Sequence, residues 1–463
     1  MVDEERRNFK FHFPEMIIFL FFFGVMLSEP VSNNFLIYRT CYTILNFNES
    51  DCAKLGTKNA DNSTAELEKQ VQPYANVLSM VLTWPAQIIP AILCLFVGPW
   101  SDKNGRKPVM ISAFIGFTIS STCQVVISLI PRLSPWYTII PNLISVLFGG
   151  FSPVMMLLLC YVTDITTDQN RGIRLGIFEG VFGLGSLLGT FLSSYIFNFM
   201  GYPGVFATTA ACNILALLYI VFILPETVNR RIDEDNNIIS IENVKDMFSA
   251  LFKKRPNHLR TVILISITVM MLFIMSNMDG GIFFYYLREK FHWDLQKYTT
   301  FKSIRDLTLT VGSFLGLVIL HKWLKIHEMI IVVLALILIC NGAIVQAIAV
   351  NDWQIILAAC LRLITGTISP MIRSFISKLV SHADIGKIFS TTVTLETFAM
   401  IIGSPAYTLL YNSTLNDFPG AYNLLTASIC LVMIILTIII IILKKNYLSR
   451  NVPFELIVDV DSD

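Results

Sequence analysis

The chain has 463 residues, of which 54% are hydrophobic and 14% are charged, with 34 Lys and Arg residues against 33 Asp and Glu residues. Soluble domains carry about 25% charged residues, so this composition excludes an ordinary soluble domain and predicts a polytopic membrane protein. No basic tract is long enough to indicate a nucleic-acid partner.

Twelve apolar runs are long enough for membrane-spanning helices, each of which needs about 20 mostly apolar residues. In chain order, these predicted spans 1 to 12 cover residues 14–37, 76–98, 108–130, 136–162, 173–199, 204–224, 260–287, 299–320, 327–350, 353–379, 387–411 and 419–443. The first run is too long for a secretory signal and lacks a small-residue cleavage site. We therefore expect an all-α membrane protein with twelve spans and both termini on one side.

The loops predict the orientation of the spans. Most Lys and Arg residues fall on the side that carries both termini, and cytosolic loops carry this excess. Three glycosylation sequons, at Asn48, Asn62 and Asn412, all fall in loops of the opposite side. Both signals place the termini in the cytosol and predict glycans at the three asparagines.

A long polar stretch divides the chain into two sets of six spans. The predicted limits are an N-terminal half at 1–224, with an external loop at about 38–75, a cytosolic linker at 225–259, a C-terminal half at 260–443 and a cytosolic tail at 444–463.

Two cysteines, Cys41 and Cys52, flank a polar stretch that contains the Asn48 sequon. On an oxidising external face we expect them to form a local disulfide. The alternative is a pair of free thiols.

The polar loop between spans 2 and 3 reads GPWSDKNGRK, a G-x-x-x-D-x-x-G-R-K pattern formed by Gly98, Asp102, Gly105, Arg106 and Lys107. Gly105 permits a tight reversal, and Asp102 is placed to accept from a helix N-terminus or to pair with Arg106. The alternative is an ordinary charged loop that anchors two helices.

With the two six-span halves, this pattern resembles the signature loop of the major facilitator superfamily. The resemblance implies alternating access between the halves, with the loop stabilising one state of the cycle. PET, at 225–227 after span 6, also resembles a recurrent ending in that superfamily. The corresponding loop of the second half, LHKWLKIHE at 320–328, lacks the acid and the glycine of the pattern and is expected to be degenerate.

Charged residues inside the spans are costly and functional by default. The acids are Glu29, Glu179, Asp279, Asp306 and Glu396, and the bases are Lys302, Arg305, Arg362 and Arg373. The acids outnumber the bases by one, so an acid is available to carry a proton. We assign proton coupling to Glu179 and Glu396. The alternative is that these charges neutralise one another and hold the halves together. Lys302 and Asp306, which are four residues apart on one helix, would form one such structural pair.

Three intramembrane charges are candidates for substrate binding. Arg362 and Arg373 are eleven residues apart, about three helical turns, so we expect them to share one face of span 10 and to suit an anionic solute. Asp279, followed by two glycines, breaks span 7 as a binding-site discontinuity would. The alternative for Asp279 is a loosely wound helix end.

Two segments, SPMIRSFISKLVS at 369–381 and NRGIRLGIFEG at 170–180, resemble solute carrier family 46, the proton-coupled folate transporter family. The resemblance implies proton-coupled symport of organic anions, with Arg373 serving the substrate and Glu179 the proton. His292 stands at an apparent cysteine position and Leu147 in place of an acid, while span 7 has no histidine. These departures weaken folate as the substrate more than they weaken the family.

The leading prediction is therefore a secondary transporter for proton-coupled symport of a folate-like or other organic anion. The alternatives are a proton-coupled exporter of drugs or metabolites and a non-transporting receptor that retains the fold. No zinc-ligand spacing, phosphate loop or nucleophile motif is present, so we expect no enzyme activity, no metal and no cofactor beyond the proton gradient. The expected partners are the solute, protons and the bilayer, with a functional monomer in the plasma membrane or the lysosomal membrane.

Overall fold

The computed structural model describes residues 13–55, 62–166, 168–228, 251–253, 255, 258–380 and 382–448, and for a minority of these it describes the backbone alone. Every regular element in these ranges is helical. The first seven helices are α1 (Glu15–Arg39), α2 (Glu49–Cys52), α3 (Asn62–Asn104), α4 (Lys107–Leu129), α5 (Ile139–Leu147), α6 (Phe151–Asp164) and α7 (Asp168–Phe222). The next eight are α8 (Leu259–Ser276), α9 (Gly280–Phe291), α10 (Leu295–Gly316), α11 (Glu328–Ile348), α12 (Asp352–Leu361), α13 (Ile368–Ser377), α14 (His382–Thr414) and α15 (Ala421–Leu448).

Eleven helical stretches among the described residues are long and apolar enough to cross a membrane. One of them, Gly180–Phe222, has 43 residues. At 1.5 Å per residue it is about twice as long as the hydrocarbon core of about 30 Å requires. Gly201, with φ at +65°, interrupts the helical backbone within this stretch, between predicted spans 5 and 6. The prediction of a multi-pass, all-α membrane protein is thus confirmed, and the count of twelve spans stays a prediction.

The contacts of the chain divide it into two compact units. Unit 1 comprises Met1–Ser240 with Gly281–Leu307, and unit 2 comprises Ile241–Gly280 with Thr308–Asp463. The domain limits predicted from chain order stay a prediction.

Two ion pairs, one buried and one partly buried, hold the 281–307 segment within unit 1. The Arg288 side chain is fully buried, with its Nε 2.7 Å from a carboxylate oxygen of Glu68 on α3, and it also donates to Asn34 of α1. Lys302 of α10 pairs with Glu29 of α1. Removing one partner of a buried pair leaves an uncompensated charge, so these contacts specify where the segment packs.

Close helix packing in unit 1 depends on glycines of predicted span 5. A Cβ added at Gly185 would lie 2.9 Å from the carbonyl oxygen of Phe19, and one at Gly189 would lie 2.5 Å from that of Phe23. α7 therefore approaches the backbone of α1 as closely as small residues permit.

The predicted external loop begins with a π-helical turn at Thr40–Ile44 and the short helix α2. Cys41 and Cys52 form a disulfide across it, with their Cα atoms 5.8 Å apart. Asn48 is exposed and caps α2 by accepting from the Ser50 N–H at 3.3 Å. Asn412 lies on α14, and the side chain of Asn62 lies outside those described. Glycosylation of the three asparagines stays a prediction.

Candidate functional site

An ion pair between Arg373 of α13 and Glu396 of α14 lies inside unit 2, within two apolar stretches of spanning length. Arg373 Nη2 donates to both oxygens of Glu396, at 3.1 and 3.0 Å, and Arg373 Nε donates to Ser369 Oγ at 3.3 Å. The Glu396 side chain is 8% exposed, whereas that of Arg373 is 37% exposed. A buried carboxylate thus neutralises a partly exposed cation.

The helix over span 10 is interrupted. α12 ends at Leu361, Thr365–Thr367 form a 3₁₀ turn, and α13 begins at Ile368. Pro370 contributes to the interruption, because it has no N–H to donate and its ring clashes with the carbonyl of Gly366. Arg362 follows α12 directly and Arg373 lies on α13, so the expectation that the three-turn spacing places them on one face is wrong.

Arg362 lies against α11 instead. A Cβ added at Gly342 would stand 3.2 Å from Arg362 Cγ. Arg362 Nε and Nη2 are buried without a hydrogen-bond partner among the described residues. The Arg362 side chain is thus packed against α11.

The predicted discontinuity in span 7 is present. α8 ends at Ser276, a turn carries the partly buried Asp279, and α9 begins at Gly280. A Cβ added at Gly280 or Gly281 would meet no atom within 4 Å. The break is thus accompanied by open space beside the two glycines.

Two further pairs involve the predicted intramembrane charges. Lys302 pairs with Glu29, and Arg305 Nη2 lies 3.3 Å from Asp306 Oδ1. The alternative of a Lys302–Asp306 pair along one helix gives way to a carboxylate on α1, next to which α10 packs. Glu179 lies on α7, and its side chain lies outside those described.

The signature loop forms a partly buried cluster at the start of α4. Gly105 has φ of +108°, a conformation that side chains rarely adopt. It turns the chain so that Arg106, 6% exposed, lies 3.2 Å from Asp164 Oδ2 through Nε and donates to Ser101 Oγ at 2.6 Å. The side chain of Asp102, its expected partner, lies outside those described, as do the surroundings of Gly98.

Glu226, the acid of the PET segment, completes this cluster. Its carboxylate accepts from the backbone N–H of Arg106 at 2.8 Å and of Lys107 at 3.0 Å. Helix N-termini leave such donors unpaired and attract negative charge. Arg106, Asp164 and Glu226 are hereafter the unit 1 charge cluster. Sequence reasoning did not assign Asp164 or Glu226 to the site, although PET was a weak signal for Glu226.

The corresponding loop of the second half also forms a charge cluster. Glu328, 4% exposed at the start of α11, pairs with Lys378, which follows α13 directly. His327 Nε2 lies 2.8 Å from Lys444 Nζ near the end of α15. Glu328, Lys378, His327 and Lys444 are hereafter the unit 2 charge cluster.

The two clusters have opposite signs at matching positions. In unit 1 a base begins the third span, and acids follow the fourth and sixth. In unit 2 the acid Glu328 begins the ninth span, and the bases Lys378 and Lys444 end the tenth and twelfth. The second loop lacks the acid and the glycine of the pattern, but an ion pair between Glu328 and Lys378 is present at these helix ends, with the signs reversed.

His327 also caps α11. Its Nδ1 accepts from the backbone N–H of Met329 at 3.2 Å. Burial of the imidazole, followed by the positive charge of Lys444, lowers the pKa of His327 below its ordinary value of 6.5. The ring is thus neutral near pH 7, where a positive charge would face Lys444 at hydrogen-bond distance.

Comparisons with known proteins agree with this architecture. A family model of the Major Facilitator Superfamily matches residues 64–404. The probable peptidoglycan muropeptide transporter SLC46 of Drosophila melanogaster is 28% identical, with 89% of this chain and 82% of the relative covered. The lysosomal proton-coupled steroid conjugate and bile acid symporter SLC46A3 of Gallus gallus is 26% identical, with 90% and 91% covered. The proton-coupled folate transporter of Bos taurus is 22% identical, with 91% and 90% covered.

A solved structure shows the same fold. The human organic anion transporter MFSD10 superposes with a TM-score of 0.62 over 91% of this chain and 98% of that chain, at 15% sequence identity.

The family model and the relatives, which are transporters, identify the class of this multi-pass helical protein as a membrane transporter rather than an enzyme. The chain belongs to the major facilitator superfamily. Within it, the chain is similar to members of solute carrier family 46, as the segments around Arg373 and Glu179 predicted.

The unit 1 charge cluster predicts a specific cost for a methyl group at Gly105. Gly105→Ala forces a side chain into a left-handed conformation, and its Cβ would lie 2.6 Å from Glu226 Oε2. We expect a loss of about 1–3 kcal/mol, seen as a lower melting temperature of the purified protein. Gly180→Ala is the control, because a Cβ there meets nothing within 4 Å. Equal melting temperatures for the two variants would contradict this account of the loop.

The unit 2 charge cluster predicts rescue by exchange of charges. Glu328→Lys places a cation beside Lys378, and Lys378→Glu places an acid beside Glu328, so each single variant should melt at a lower temperature. The double exchange restores one pair of opposite sign and should recover most of the loss, which a double-mutant cycle measures as coupling. A double variant that loses the sum of the two single losses would show that the pair does not stabilise unit 2.

Proposed function

We propose that this chain is a proton-coupled symporter that carries an organic anion across its membrane by alternating access. The observation that carries the proposal is the Arg373–Glu396 pair, in which a buried carboxylate neutralises a partly exposed guanidinium. Charges inside a membrane are tolerated when they pair, and arginine stays protonated in proteins. Arg373 therefore requires an anionic partner throughout the transport cycle.

Exchange of that partner couples the proton to the solute. A proton from the acidic side neutralises Glu396 and releases Arg373, whose planar fork then binds a carboxylate or sulfate of the solute. When the solute leaves towards the cytosol, Glu396 gives up its proton and pairs with Arg373 again. Arg373 is neutralised in both states. A solute that binds without a proton leaves the charge of Glu396 uncompensated, and a proton that binds without a solute leaves the charge of Arg373 uncompensated.

The relatives support the coupling and leave the anion open. Their names describe proton-coupled transport of folate, proton-coupled symport of steroid conjugates and bile acids, and probable transport of muropeptides. The departures at His292 and Leu147 favour an anion other than folate. Glu179 is proposed as a second proton carrier, and Arg362 with Asp279 as further charges that orient the solute.

The finer topology belongs to the same proposal. We assign twelve spans, because the break at Gly201 divides a stretch long enough for two crossings. Both termini are assigned to the cytosol, with glycans on external asparagines and a functional monomer. The membrane is the plasma membrane or the lysosomal membrane, since the SLC46A3 relatives are named as lysosomal.

Two substitutions test the exchange in proteoliposomes with an imposed pH gradient. We expect wild-type uptake of a steroid sulfate, a bile acid or folate to rise when the outside is acidified. Arg373→Ala should abolish uptake, because the anion loses its cation, whereas Glu396→Gln should leave an uptake that no longer responds to the gradient. Ser374→Ala and Thr397→Val, at the neighbouring positions, are the matched controls and should behave as wild type.

Other outcomes identify the alternatives. Solute efflux driven by inward proton flow would show an exporter, and binding without flux would show a receptor. An unchanged pH response in Glu396→Gln would remove Glu396 from proton coupling.

A further inference from the structure

The 281–307 segment is preceded and followed in the chain by unit 2, yet its contacts place it in unit 1. It carries most of α9 and the first part of α10. Where the segment begins, a Cβ added at Gly280 or Gly281 would meet no atom within 4 Å, so the chain has room to turn there. What keeps the segment in unit 1 is therefore its contacts with α1, α3 and α7.

One set of these contacts is shielded from water. Arg288 and Glu68 are both buried, and Arg288 also donates to Asn34 of α1. Gln72 of α3 donates to Glu68 at 3.1 Å and to the carbonyl oxygen of Tyr285 at 3.2 Å. Because these buried groups share partners, we expect this part of the segment to stay in place when the pH changes.

The pair of Glu29 and Lys302 differs, because its acid faces a cavity. The Glu29 side chain is 35% exposed and lines a cavity of about 440 Å³ in unit 1. Lys302 is its one hydrogen-bond partner among the described residues. Nine serine and threonine side chains and four carboxamides also line the cavity, which has room for several water molecules at about 30 Å³ each. Water in the cavity is thus able to deliver a proton to this carboxylate.

The other titratable groups beside the pair lie on α10. Helices α3 to α7 face the cavity with hydroxyl, amide and apolar side chains, so Glu29 is the one titratable residue of the described lining. Tyr298, Arg305 and Asp306 are three or four residues from Lys302 and share its face of α10. Arg305 Nη2 lies 3.3 Å from Asp306 Oδ1. The segment therefore carries a second carboxylate within reach of Lys302.

We propose that Glu29 is a further proton acceptor, and that its protonation releases the 281–307 segment from α1. The proton binds the Glu29 carboxylate, which then no longer neutralises Lys302. Lys302 keeps its own proton and pairs with Asp306, four residues along the same helix. A contact between α1 and α10 is thereby exchanged for a contact within α10.

The released state holds one proton more than the bound state, which fixes the sign of the pH dependence. Acid favours the state that binds more protons, so the ratio of released to bound segment rises on acidification, by up to about tenfold per pH unit for one proton. The inference rests on the proposed function, because the segment contains a predicted external loop and symport draws its protons from that side. It adds an acid-driven loosening of the external side to the exchange at Arg373.

Distance measurements test the release without requiring transport. Spin labels are attached to p-acetylphenylalanine at Lys297 of the segment and at Tyr137 before α5, both of which are exposed. Labels of this kind leave the native cysteines and the Cys41–Cys52 disulfide in place. The full-length protein in lipid nanodiscs is measured by double electron–electron resonance near neutral pH and after acidification by about two pH units.

The wild type should show one distance near neutral pH and a second, longer distance on acidification. Glu29→Gln does not neutralise Lys302 at any pH, so it should show the longer distance under both conditions. Glu29→Asp keeps a carboxylate and should restore the pH response, which a purely structural role for the side chain does not explain. Asp306→Asn lacks the replacement partner, so its longer-distance fraction in acid should fall below that of the wild type.

Glu289→Gln is the matched control. Glu289 lies in the same segment and pairs with Lys69 of α3 at 3.3 Å, so this variant removes an ion pair of the segment without touching Glu29. It should keep the wild-type response to pH. A response that disappears in Glu289→Gln and persists in Glu29→Gln would overturn the assignment of the proton to Glu29.

Other results would also contradict the inference. A wild-type distance that does not change with pH would show that acid leaves the segment bound. Undiminished release in Asp306→Asn would refute the exchange of partners. If the distances behave as expected while proton-driven uptake fails, symport is wrong and the release at Glu29 stands. Driven uptake with a distance that ignores pH would show the reverse.

Discussion

The proposed transport cycle depends on one constraint, which is that the guanidinium of Arg373, within a membrane-spanning stretch, is neutralised by an anionic partner. Arg373 meets it with Glu396, a buried carboxylate held by two hydrogen bonds to a single guanidinium nitrogen. Arg373 is partly exposed, as the proposed exchange with a second anion requires. Because arginine does not lose its proton, the proposal makes Glu396 the partner whose charge changes. Under that proposal, coupling between proton and solute follows from neutrality, without a separate device to enforce it.

The same constraint explains the helix ends. The unit 1 charge cluster joins a base to two acids, and the unit 2 charge cluster joins an acid to bases at the matching positions. A loop that lacks the signature residues is therefore able to do the same mechanical work, because two helix ends need opposite charges and not a particular order of signs. The second loop lacks the residues of the signature pattern, but its helix ends still carry an ion pair, as those of the first loop do.

Sequence patterns predicted the features that depend on local physics. Hydropathy located the membrane-spanning stretches, because a chain in lipid must satisfy its backbone groups within each helix and therefore forms long apolar helices. The pattern around Gly105 predicted a chain reversal that needs a glycine. The sequence could not predict which charged residues pair with one another, because the pairing depends on which helices pack together. Lys302 pairs with Glu29 across 273 positions rather than with Asp306 on its own helix. Pro370 in the sequence predicts a bend in span 10, but the hydrophobic run does not reveal that α12 ends as early as Leu361.

Infrared difference spectroscopy of the protein in lipid, with and without a bound organic anion such as a steroid sulfate, tests the exchange at Arg373 most directly. Binding at constant pH should produce the carbonyl band of a newly protonated carboxyl group, and that band should be missing in Glu396→Gln. A wild-type spectrum without the band, or a band that persists in Glu396→Gln, would contradict the claim that the solute replaces Glu396 as the partner of Arg373.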